Sequence, residues 1–117
     1  MHGSKDLDKV FDALANEHRR EIIYALGLRP CSISELASRR GLSLPAIHRH
    51  IMTLEDADMV ARKKIGRTNF LALNRAPLRG LQDWVQQFHP YWGSDKETLE
   101  NYTNYLSKQQ TTTEEQE

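Results

Sequence analysis

At 117 residues, with 38% hydrophobic and 27% charged residues, the chain has the size and balance of one folded domain, which excludes a disordered composition. No apolar run approaches the roughly 18 residues that cross a bilayer, and Met1-His2-Gly3-Ser4-Lys5-Asp6 lacks an apolar signal region, so a cytoplasmic protein with no membrane partner is expected. The single cysteine, Cys31, excludes an internal disulfide and a cysteine-rich metal cage, while 16 basic and 16 acidic residues cancel and leave only their distribution to inform.

In chain order, Leu7, Val10, Phe11 and Leu14 recur at helical spacing, and Ile22, Ile23, Leu26 and Leu28 do so again after Asn16, a good N-cap. Pro30 stops that second helix. Ser32-Ile33-Ser34-Glu35 has the form of a capping box and opens a short third helix that ends at Gly41. Ser43 caps a fourth helix running to about Ala57, with Pro45 in its first turn and Leu44, Ile47, Ile51 and Leu54 on its core face. Met59 to Lys64 and Thr68 to Leu73 predict a β-hairpin turning at Ile65-Gly66-Arg67. Pro77 opens a last helical stretch through Leu78, Leu81, Trp84, Val85 and Phe88, broken near residues 90 to 94 and resumed through Leu99, Tyr102, Tyr105 and Leu106. Residues 1–108 are read as one domain, and 109–117, made of Gln, Thr and Glu, as a disordered tail without functional content.

Charge is segregated along this plan. Between Arg29 and Arg67 eight basic residues face four acidic ones, a net of +4, whereas Ser94 to Glu117 carries −4. A mainly α protein with one small β-hairpin, in this order of elements and with a basic middle, is a winged helix-turn-helix, whose second motif helix, Ser43 to Ala57, enters a major groove of double-stranded DNA. With Ile47, Ile51 and Leu54 inward, a step of about 100° per residue turns Pro45, Ala46, Arg49 and Thr53 outward, with His48 flanking. Arg49 is the strongest candidate, because its planar fork can grip guanine O6 and N7; His48 and Thr53 can donate to bases or phosphate. Ser43 starts the same helix, and Lys63, Lys64 and Arg67 would straddle the DNA backbone or the minor groove. His50 projects toward the core edge and is expected to pack. The apolar terminal helices would expose a large patch in a monomer, so Leu7, Val10, Phe11, Leu14, Leu78, Leu81, Trp84, Val85 and Phe88 are expected to form a homodimer interface.

From Phe11 to Leu73, about half of the chain, the sequence resembles the ArsR family of bacterial and archaeal repressors. The resemblance is carried by Leu14-Ala15-Asn16-Glu17-His18-Arg19-Arg20-Glu21-Ile22-Ile23, by Ile33-Ser34-Glu35-Leu36-Ala37, by Leu42 to Ile51, and by Leu54-Glu55-Asp56-Ala57-Asp58-Met59-Val60. It implies a homodimeric repressor that binds a palindromic operator and leaves it when a metal ion or another signal binds. The metal-sensing part does not carry over: the family's two thiolate positions fall on Ser32 and Ser34, Cys31 is out of register, and His89 stands alone on the last helix. No cofactor, metal or catalytic residue is therefore expected, and the protein is read as not an enzyme. A small-molecule or protein effector is left open. The alternatives are a winged-helix protein-interaction module and a metal- or redox-responsive repressor, the latter through a Cys31 that lies just before a helix N-terminus but reads better as an inert thiol.

Overall fold

The computed structural model describes the backbone of residues 4–116 and the side chains of residues 6–111. The elements are α1 (Ser4–Leu14), α2 (Glu17–Leu28), β1 (Cys31–Ser32), α3 (Ile33–Arg40), α4 (Leu44–Asp56), β2 (Val60–Ile65), β3 (Thr68–Leu73), α5 (Ala76–Val85) and α6 (Thr98–Gln116). Three of the helices begin where a short polar side chain supplies a missing backbone partner. Asn16 Oδ1 accepts from the Arg19 N–H at 3.2 Å, Ser32 Oγ from Glu35 at 3.1 Å, and Ser43 Oγ from Ala46 at 3.3 Å. The Glu35 carboxyl is held below its ordinary range chiefly by the hydrogen bond and charge of Arg29, with a smaller contribution from the Ser32 backbone. Gly41, at φ 63°, ends α3 in the left-handed conformation and aims the chain into α4.

Two compact units divide the chain, one up to Trp84 and one from Val85 onward. In the first, Ile22 of α2, Leu36 of α3, Ile47, Ile51 and Leu54 of α4, Met59, and Leu71 of β3 are buried almost completely. Each such side chain contributes about 1.5–3 kcal/mol, and together they fix the helix-turn-helix on the sheet. That sheet is antiparallel with strand order β1-β3-β2. Between β2 and β3 only Gly66 and Arg67 are unpaired, and Gly66 alone has a positive φ, as a type II′ turn requires. Arg62 stands opposite Leu71, whose side chain is buried, so the pleat puts Val60, Arg62 and Lys64 on the face turned to the core, and Ala61, Lys63 and Ile65 on the other.

In the second unit, Trp92 packs its ring on Tyr102 at 4.9 Å and on Tyr105 at 5.2 Å, and its carbonyl accepts from Asn101 Nδ2 at 2.7 Å. Gly93, at φ 91°, lets the chain pass there, since a Cβ would meet that same Nδ2 at 2.7 Å.

Several expectations change. β1 was not anticipated: two residues carry no periodicity, and they become a strand only by pairing Cys31 with Leu71 and Ser32 with Phe70. The backbone of α6 runs past Gln109 to Gln116, an extension of an existing helix, which costs less than starting one. Val10, assigned to a dimer interface, is 2% exposed within one chain and belongs to the core with Ala13.

Candidate nucleic-acid interface

The inward stripe of α4 determines what its opposite side can offer. With Ile47, Ile51 and Leu54 buried, Pro45 and Arg49 are exposed, Ala46, His48 and Thr53 are half-buried, and the capping residue Ser43 is exposed at the helix start. No hydrogen bond or ion pair engages the Arg49 guanidinium among the described residues, so its fork is available to an external acceptor. The Thr53 hydroxyl donates to the Arg49 carbonyl at 3.3 Å, which leaves its oxygen lone pairs as the free hydrogen-bonding function.

The hairpin is tied to this helix by one ion pair, Arg62 Nη2 to Glu55 Oε1 at 2.8 Å. Lys63, Lys64 and Arg67 remain exposed beyond it, so the free charge of the hairpin is smaller than a count of its basic residues suggests. The two lysines do not form one patch. Lys64 shares the face of Arg62, toward α4, whereas Lys63 stands on the opposite face beside Ile65, and Arg67 occupies the turn.

His50 does not join the outward arc. Its Nδ1 accepts from Arg19 Nη1 at 3.2 Å, and Arg19 also donates to the carbonyls of Ala13 at 2.6 Å and Asp12 at 3.1 Å. The ring of His18 lies 5.4 Å from that of His50 and accepts at Nδ1 from Arg40 Nε at 3.1 Å. Burial pushes the His50 imidazole below its ordinary 6.5, and the charges of Arg19, His18 and Arg49 push the same way. The cluster thus joins the end of α1 to α4 through a histidine kept neutral.

One outward residue escaped sequence reasoning. Met52 is 60% exposed on the side of α4 away from the core. Sorting apolar residues to the core set it aside, although the same 100° step that selected Arg49 would have found it.

Cys31 is fully buried, its thiol donates to the Arg29 carbonyl at 3.5 Å, and burial pushes its pKa up, against thiolate formation. Ser32, at one of the family's thiolate positions, spends its hydroxyl on the α3 cap. Among the described residues no group of three or more His, Cys, Asp or Glu side chains could hold a metal ion. No described helix is long and apolar enough to cross a membrane.

Of the residues assigned to a dimer interface besides Val10, Leu14, Leu78 and Leu81 are half-buried against the core, and Leu7 is half-buried. Phe11 and Trp84 are 40% and 38% exposed and meet edge to face at 5.3 Å. Val85 and Phe88 are exposed and fall in the second unit.

Residues 14–62 match a family model described as a helix-turn-helix domain. The chain is 33% identical over 94 residues to YuzN of Bacillus subtilis, an HTH-type transcriptional regulator, a match that covers 74% of this chain and all of that protein. It is 44% identical over 55 residues to an HTH-type transcriptional regulator of Methanocaldococcus jannaschii, covering 47% of this chain and 58% of that one. The structure is similar to an ArsR-like transcriptional regulator from Rhodococcus sp. RHA1, with a TM-score of 0.67 at 31% identity over 74% of this chain and 82% of that one. It shares its fold with a homodimeric winged helix-turn-helix DNA-binding domain from Mycobacterium bovis, with a TM-score of 0.61 at 22% identity over 70% of this chain and 76% of that one.

Proposed function

Because the chain belongs to the ArsR family of helix-turn-helix transcriptional regulators, we propose that it is a homodimeric repressor whose α4 reads a palindromic operator from the major groove. The observation that carries this reading is the unengaged Arg49 guanidinium on the outward arc of α4, beside a hairpin with free cations. In the complex, Arg49 grips a guanine through O6 and N7, Ser43, Pro45, Ala46, His48 and Thr53 line the groove, and Lys63, Lys64 and Arg67 neutralise flanking phosphates. Phe11 and Trp84, exposed and in ring contact, supply part of the apolar face that a second copy covers, together with Leu7, Leu14, Leu78 and Leu81; Val85 and Phe88 of the second unit are assigned to the same dimer contact. Such a pair sets two α4 helices about 34 Å apart, one DNA turn, and represses by occluding the promoter.

Selection from random duplex DNA tests the reading, and an enriched two-fold motif is the expected result. Arg49→Ala should then cost about 1–3 kcal/mol of operator affinity and relax the preference at one base pair. Absence of any motif, or an unchanged affinity and preference in Arg49→Ala, refutes it.

A further inference from the structure

A single exposed apolar side chain ordinarily needs no explanation. Met52 differs in its position. On α4 it lies seven residues from Pro45 and four from His48, so the three form one stripe along the outward arc, about 60° round from Arg49. The stripe lies toward the edge where Glu55 holds Arg62 of the hairpin, and Met52 stands on it 60% exposed. The core does not need it, since Ile47, Ile51 and Leu54 already fill the inner face of α4. The recognition surface is therefore divided: a charged fork on one side, and an apolar, flexible thioether that donates no hydrogen bond on the other.

The floor of a major groove offers one apolar feature, the C5-methyl group of thymine. Met52 stands three residues beyond Arg49, a rise of about 4.5 Å along the helix, against about 3.4 Å per base pair. We infer that Met52 is a specificity residue that reads the methyl group of a thymine one or two base pairs from the guanine held by Arg49. The inference rests on α4 being the recognition helix, and it adds a second, chemically distinct letter to what that helix reads.

The test uses the selected operator with each thymine of one half-site replaced in turn by uracil, which removes only the methyl group. For the unaltered protein, one replacement should weaken binding about fourfold, the equivalent of ~0.8 kcal/mol for one buried methyl. Met52→Ala should bind the natural operator at least that much less tightly and show no further loss on the uracil duplex, whereas Met52→Leu and Arg49→Ala should keep the uracil penalty. A penalty that persists in Met52→Ala, or no penalty at any thymine, overturns the inference while leaving the role of α4 intact. If no motif is selected and both Arg49→Ala and Met52→Ala bind as before, the reading of α4 falls and takes this one with it. Since Met52 is exposed, an unchanged melting temperature of each variant shows that the losses come from binding.

Discussion

Arg19→Met removes the guanidinium that joins the end of α1 to α4 while keeping most of the apolar stem. Three hydrogen bonds disappear: to Ala13 O, to Asp12 O and to His50 Nδ1. The Asp12 carbonyl lies at an exposed helix end and returns to water at little cost. Ala13 is fully buried and His50 half-buried, so their acceptors lose partners that water replaces less readily. At about 1 kcal/mol net for each of these two, the substitution should cost about 2 kcal/mol. For a unit of this size that lowers the melting temperature by roughly 10 °C, measured at fixed protein concentration because a dimer's melting point depends on it.

The same variant should also move the His50 titration, followed by NMR. One of the charges that push its pKa down is gone, so the value should rise toward 6.5, although burial, the larger cause, still holds it lower. The linkage sign follows. The folded-state value lies below the unfolded one, so the unfolded chain binds more protons, and this contribution to stability is fully present above about 6.5 and lost as the pH falls through the folded value. In Arg19→Met the acid-side loss should be shallower. A melting temperature within about 2 °C of the unaltered protein, with His50 titrating as before, would refute this account of Arg19.

Gly41→Ala should cost about 1–2 kcal/mol by urea denaturation from the left-handed φ alone, since a Cβ there would meet nothing within 4 Å. A neutral effect would mean that the turn between α3 and α4 is not held at that φ in solution. Lys64→Ala should weaken all DNA sequences alike and make the dependence of log affinity on log salt shallower by about 0.9, measured by titration at several salt concentrations. A loss confined to one sequence would show that Lys64 reads bases.

The ends of α4 could be read from Ser43 and Pro45 because capping is local chemistry: the signal lies within three residues of the feature it specifies. The same holds for Asn16 and for the turn at Gly66. β1 could not be read, since its strand character comes from β3, some forty residues away. Neither could the side on which Val10 is covered, because helical periodicity identifies an apolar stripe without naming the neighbour that buries it. Met52 was missed for the converse reason, an apolar residue outside the stripe, and the fixing of His50 depended on Arg19, 31 residues earlier.

The alternation of Lys63 and Lys64 in β2 has a consequence for how the hairpin can vary. Replacing either lysine by arginine leaves each charge on its own side, but inserting or deleting one residue between Asp58 and Arg62 moves every β2 side chain beyond it to the opposite face. Arg62 would then lose Glu55, and the side chains beside α4 would trade places with those on the far side. The hairpin should therefore accept changes of side chain far more readily than changes of length, and indels in β2 should abolish operator binding even where the protein still folds.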